Sequence, residues 1–214
     1  MTDHRIDWDR EARTGTAEAV LCDVKTAGQI AAILTTAQTE GRRLLLTRLE
    51  ADRFAALPGM GLDYDPLSRT AILGSHAATL PGIGIIAAGT SDLAIAAEAA
   101  RTLAFHGYAA PITADVGVAG LHRLLDRLDE LRRHRVLIAV AGMEGALFSV
   151  LGGLVAAPVI AVPAPHGYGV AEGGRLALHS ALGSCAQGVV AVNIGNGFGA
   201  ACAALRILKA GSGA

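Results

Sequence analysis

Apolar and polar positions along the chain fall into two textures. From residue 81 onward, short uninterrupted apolar runs alternate with longer Ala/Leu-rich segments, and glycines punctuate the joins. The runs at 83–88, 109–113, 136–140, 159–162 and 189–192 predict strands buried on both faces, because a half-exposed strand would alternate polar with apolar. Helices are predicted at 93–106, 118–133, 144–155, 175–182 and 198–208. Asp92 and Gly107 supply start and stop signals for the first of them. Strand–helix alternation is the signature of βαβ units. Right-handed crossovers then make a three-layer α/β/α sandwich around a parallel sheet the economical architecture.

Residues 1–80 carry much of the charge and a looser pattern: a helix at 26–38, a strand at 43–47, a short helix at 51–57 and a strand at 68–73. These predict a small α+β domain, a linker at 74–82, and an α/β domain over 81–214.

Composition narrows the function classes. The 214 residues are 52% hydrophobic and 17% charged, which excludes disorder, and the net charge of -1 gives no electrostatic reason for a nucleic-acid or anionic-membrane partner. The apolar stretch at 147–163 is broken by Gly152, Gly153 and Pro158, so no membrane span is expected. The opening MTDHRIDWDREARTG lacks the apolar core of a signal peptide, and a cytoplasmic location is expected. Cys22, Cys185 and Cys202 are odd in number and lack CxxC spacing, against a disulfide framework or a zinc site.

Ligands of doubly wound sheets sit beyond the carboxyl ends of the strands, so the loops there hold the candidate chemistry. Gly89-Thr90-Ser91-Asp92 opens a helix and suits either phosphate binding or plain N-capping. Asp115 begins a glycine-bearing turn that leads to His122 and Arg123, which either face the site or solvate a helix. Gly142 and Glu144 lie in a turn where a carboxylate flanked by glycines suits acid or base work. His166 and Tyr168 fall in a Pro/Gly-rich loop too long for a minimal connection. Cys185 lies among small residues just before the last strand, where a thiol is accessible, whereas Cys22 and Cys202 have apolar neighbours. Asn196 opens the final helix in a glycine-asparagine turn. These loops are expected to converge on one edge of the sheet, as a site for a phosphorylated or nucleotide ligand.

Those motifs together resemble the LarB family. Carrying the resemblance are Gly89-Thr90-Ser91-Asp92, Asp115 through Arg123, Ala141-Gly142-Met143-Glu144-Gly145-Ala146-Leu147, Pro158 through Pro163, Gly167-Tyr168-Gly169, Ser184-Cys185-Ala186 and Asn196-Gly197-Phe198-Gly199-Ala200. It extends to Arg10, Arg13-Thr14-Gly15, Glu18 and Lys25-Thr26, and so covers essentially the whole chain. It implies a PurE-like domain behind a family-specific N-terminal domain, and a homo-oligomer, since PurE forms octamers. The implied activity carboxylates nicotinic acid adenine dinucleotide at C5 of the pyridinium and cleaves its phosphoanhydride, giving pyridinium-3,5-biscarboxylic acid mononucleotide and AMP. CO2 or bicarbonate is the co-substrate, no tightly bound cofactor is expected, and a role for Mg2+ is left open. Two places depart from the family pattern: Gly195 stands where an aspartate is usual, and Ala164-Pro165-His166 replaces a Thr-Ser pair and its successor.

A pyridinium C5 cannot attack CO2 until electrons are pushed into the ring. Addition of a thiolate at C4 does this, and the resemblance assigns that covalent role to Cys185. Glu144 is the candidate base for the C5 proton and Asp92 the alternative. Gly89, Thr90 and Ser91 suit phosphate, and His122 and Arg123 suit the diphosphate. Arg10, Arg13 and Lys25 either close over the adenylate or line a subunit contact. Two other readings compete: an aminoimidazole ribonucleotide carboxylase, against which the absence of a histidine from the Gly145–148 turn counts, and a non-catalytic dinucleotide sensor, which needs no thiol.

Overall fold

A computed structural model describes residues 4–74 and 77–211, so positions 75 and 76 of the expected linker lie outside the described residues. The chain divides into two compact units, Met1–Ala77 and Ala78–Ala214.

The N-terminal unit runs α1 (Arg10–Thr14), β1 (Ala19–Leu21), α2 (Ala27–Thr39), β2 (Leu44–Thr47), α3 (Ala51–Ala55), β3 (Leu62–Asp65) and β4 (Thr70–Leu73). Its strands form a mixed sheet in the order β1-β2-β4-β3, with β1 and β2 parallel and the other pairs antiparallel. Helix α2 starts at a capping box: Thr26 Oγ1 accepts from the Gln29 N–H and the Gln29 side chain accepts from the Thr26 N–H. Its Ile30, Ile33, Leu34 and Ala37 recur at helical spacing and pack on Val20, Leu44, Leu46 and Ala71 of the sheet. Strands β1 and β3 are additions to the elements expected from sequence. Three residues are too few to show a period, and the alternation in β3 puts Leu62 and Tyr64 against the core while Asp63 and Asp65 alternate with them.

The C-terminal unit is a parallel α/β fold. It runs β5 (Ile83–Ala87), α4 (Leu93–Phe105), β6 (Ile112–Thr113), α5 (Leu121–Leu125), α6 (Leu128–Leu131), β7 (Val136–Ala141), α7 (Ala146–Gly152), β8 (Val159–Pro163), α8 (Arg175–Leu182), β9 (Val189–Ala191) and α9 (Gly197–Ala210). Five parallel strands stand in the order β6-β5-β7-β8-β9. Alternate residues of the apolar runs serve opposite faces. Ile83, Ile85, Val136, Ile138, Ile160 and Val162 pack against α4 and α9, while Ile86, Leu137, Ala139, Val159 and Ala161 pack against helices of the α5–α8 segment. Three layers result, as the continuous apolar runs predict.

Two expected elements are shorter or broken. Only Ile112 and Thr113 of the run at 109–113 form β6, because Pro111 has no N–H to give a ladder. The helix expected at 118–133 is a 3-10 turn at Val118–Gly120 followed by α5 and α6, with tightened bonds from the Arg127 N–H to the Leu124 carbonyl and from the Glu130 N–H to the Arg127 carbonyl between them. Helix α7 begins at Ala146 rather than 144, after Gly145 in a left-handed conformation. No helix among the described residues is long and apolar enough to cross a membrane.

Candidate active site

Strand order reverses between β5 and β7: the chain leaves β5 for β6 on one side and returns to β7 on the other. Such a switch point opens a crevice at the carboxyl ends of the strands. A cavity of about 360 Å³ lies there, walled by Ala88, Gly89, Ser91 and Asp92 after β5, Gly117–119 after β6, Ala141 through Glu144 with Ala146 and Leu147 at β7, and His166 after β8. Of the residues expected from sequence, it gathers Gly89, Ser91, Asp92, Gly142, Glu144 and His166. Sequence reasoning did not single out its apolar walls, Val118, Met143 and Leu147. Turn position after each strand was the signal that would have found them.

Asp92 is the buried acid of the cavity, only 3% exposed. One carboxylate oxygen, Oδ2, accepts from the Gly89 N–H at 2.9 Å, and Oδ1 is buried without a hydrogen-bond partner. Burial pushes the carboxyl pKa above the usual value, against the opposing pull of the Gly89 N–H and of His166. Glu144 and His166 are exposed at the mouth. Two backbone features shape that mouth. Met143 takes φ 53, unusual for a side chain of its size, and Gly142 passes so close to His166 that a Cβ would collide with the His166 carbonyl oxygen. The Met143 N–H donates to that same carbonyl at 3.1 Å, tying the β7 and β8 loops together.

Neither lysine nor arginine lines this cavity. Arg123, expected to meet a diphosphate, forms an ion pair with Asp115, which itself adopts φ 58; both side chains are about half exposed and outside the lining. His122 is exposed on α5, and Tyr168 is 78% exposed on its loop, also outside the lining. Thr90 belongs to the 3-10 turn behind Gly89 without lining the cavity.

The turn at Asn196 corrects the expectation of an anion site there. Asn196 Oδ1 accepts from the Gly199 N–H at 2.7 Å, and buried Glu98 of α4 reaches across to accept from the Phe198 N–H at 3.2 Å. The first turn of α9 therefore already holds a carboxylate of its own chain, where the helix dipole favours one. Glu98 was not singled out from sequence; a lone glutamate in an Ala-rich helix gives no sign of a partner 100 positions away. Gly195 sits at φ 65 with open space where a side chain would go.

Cys185 is not at this site within one chain. It is exposed in the segment that links α8 to β9, and that segment precedes its strand rather than following one. Gly188 there accepts from the Val159 N–H at the start of β8, and a side chain at Gly152, the last residue of α7, would press on Ala186. Both contacts mark the amino end of the sheet. Five residues of β8 separate that end from the cavity, on the order of 15 Å. Of the other thiols, Cys22 is fully buried, which pushes its pKa up to about 12, and Cys202 is half-buried on α9.

In the N-terminal unit, Arg13 makes a two-pronged ion pair with Asp7, and Arg10 is exposed on α1. Lys25 follows β1 and lines a cavity with Arg5 and Glu18, whereas Arg13 lines a second one with Arg5 and Asp7. No group of three or more His, Cys, Asp or Glu among the described residues is arranged to hold a metal ion.

Fold, strand order and crevice define a class. An AIR carboxylase model matches residues 82–213, and the chain belongs to that family. A LarB/PurE-like N-terminal domain matches residues 1–75, and the two together are the arrangement of a LarB with its PurE-like domain. Both groups are carboxylases or mutases. An uncharacterized protein of Methanocaldococcus jannaschii is 45% identical over 94 residues, which are 43% of this chain and 36% of that relative. A crystal structure of a Treponema denticola PurE2 variant shares 24% identity with a TM-score of 0.47, covering 62% of this chain and 82% of that one.

Proposed function

We propose that the protein carboxylates nicotinic acid adenine dinucleotide at C5 of the pyridinium and hydrolyses its phosphoanhydride, releasing pyridinium-3,5-biscarboxylic acid mononucleotide and AMP. One observation carries the reading: the cavity presents two carboxylates and an imidazole without a lysine or arginine, a lining suited to a cationic ring rather than to a bare phosphate. In the proposed sequence the Cys185 thiolate adds to C4, and the resulting enamine attacks CO2 through C5. Glu144 takes the C5 proton, and the thiolate departs as aromaticity returns. Water then cleaves the phosphoanhydride.

The thiol and the cavity lie at opposite ends of the sheet, so this reading requires a second copy of the chain to deliver Cys185. Apolar side chains exposed at both ends favour such an association: Tyr168 and Val170 on the loop after β8, and Leu182 beside the Cys185 segment. A contact joining unlike ends is heterologous and closes into a ring when the rotation permits. The test is mass spectrometry after incubation with the dinucleotide and 13C-bicarbonate. Labelled biscarboxylated mononucleotide together with AMP is the expected result; unchanged dinucleotide under conditions where the protein is folded and associated refutes the reaction.

A further inference from the structure

Asp92 is a buried carboxylate in a cavity whose walls include no lysine or arginine. Main chain holds it in place. Its Oδ2 accepts from the Gly89 N–H at 2.9 Å, which fixes the carboxylate in the turn after β5, while Oδ1 is buried with no hydrogen-bond partner. The imidazole that acts on it electrostatically, His166, stands exposed at the mouth. Burial pushes the carboxyl above its ordinary pKa, and a cation brought against it draws that value back down.

The rest of the lining narrows the kind of cation that fits. Val118, Met143 and Leu147 share the cavity with the carboxylate and give it apolar walls. An ammonium or guanidinium carries several N–H donors, each of which needs an acceptor once buried. An N-substituted aromatic cation carries none. Its charge is spread over a flat ring that apolar walls can cover, and it asks only for a negative neighbour. An orphaned carboxylate oxygen among apolar side chains supplies that neighbour, and away from water the attraction is stronger than at a surface.

We propose that Asp92 is the counter-ion of a pyridinium ring and makes the cavity selective for the oxidised, cationic form of a pyridine dinucleotide over the reduced, neutral dihydropyridine. This rests on the reading above that such a dinucleotide is the substrate, and adds to it the group that recognises the ring's charge. The ring of the thiolate adduct is likewise a neutral dihydropyridine. Asp92 therefore favours the substrate before the thiolate adds and the product after it leaves, and it pulls towards the return of aromaticity.

Calorimetric titration of the full-length protein tests it, with nicotinic acid adenine dinucleotide and the same dinucleotide reduced to the 1,4-dihydropyridine as probes. Cys185→Ala is the background throughout, so that no covalent adduct favours the oxidised ring. That protein is expected to bind the oxidised form at least about tenfold more tightly, the scale on which an opposite charge in contact shifts a carboxyl equilibrium. Asp92→Asn keeps the side-chain volume and an oxygen for the Gly89 N–H, and is expected to bind both forms alike. A preference that persists in Asp92→Asn overturns the counter-ion. So does a larger loss of preference in Glu144→Gln, which passes the ring's charge to the mouth, and so does failure of both forms to bind. Carboxylated product from the wild type, with a preference that Asp92→Asn leaves unchanged, overturns the counter-ion and leaves the reaction standing. A preference lost in Asp92→Asn, where the wild type makes no such product, supports the counter-ion and sinks the reaction.

Discussion

Mixing two inactive variants tests whether the catalytic thiol comes from a second chain. Cys185→Ala removes the thiol and leaves the cavity; Glu144→Gln removes the proposed base from the cavity and leaves the thiol. The two positions are separated by the length of β8, on the order of 15 Å, and a covalent adduct needs sulfur and carbon in contact. If each site draws its cavity from one copy and its thiol from the next, a 1:1 mixture reassociated at random makes about a quarter of its sites wholly native, since each of the two choices is made independently with even odds. The assay is the initial rate of AMP and labelled product formation after dissociation and reassociation of the mixture, against each variant alone. Recovery of about a quarter of the wild-type rate is expected. Recovery indistinguishable from zero, with size-exclusion chromatography showing mixed assemblies, would refute the shared site and return the chemistry to a single chain.

Three further outcomes follow from the structure. Glu98→Ala strips the Phe198 N–H of its buried carboxylate partner and should destabilise the C-terminal unit by about 1.5–3 kcal/mol in urea titration, with Glu98→Gln much milder; equal stability of all three proteins contradicts the cap. Burial raises the Asp92 pKa, so the native state holds that proton more tightly than the unfolded chain. The residue therefore favours folding below the ordinary carboxylate range and opposes it as pH rises through the raised value. Asp92→Asn should accordingly melt higher than wild type near neutrality with the gap closing in acid, and a gap constant with pH would show that the carboxyl is not the cause. Brief alkylation of the native protein with iodoacetamide should label exposed Cys185 first and leave Cys22, whose thiol is pushed up to about 12, unmodified until unfolding; early labelling of Cys22 would contradict its burial.

Much of the C-terminal sheet was legible because burial on both faces leaves a mark that no helix partner can erase: β5, β7 and β8 each read as unbroken apolar runs. The cavity residues Gly89, Asp92, Gly142 and Glu144 were legible for the related reason that parallel strands put the following turns at one edge. That same rule places Cys185 at the other edge, since its segment leads into β9; grouping it with turns that follow strands ignored strand direction. Long-range pairing left no trace in the sequence. Arg123 and Asp115, eight residues apart, read as two ligand-facing charges and instead satisfy one another, while the glutamate that fills the α9 turn comes from a different helix.

The edges of the C-terminal sheet are β6, with two residues beside Pro111, and β9, with three. Strands that short offer another sheet too few N–H and C=O groups to template growth, although Val190 of β9 is about half exposed and apolar. Concentrating the protein should therefore not extend this sheet from chain to chain: solutions are expected to stay clear and free of the fibrous species that long bare edges nucleate.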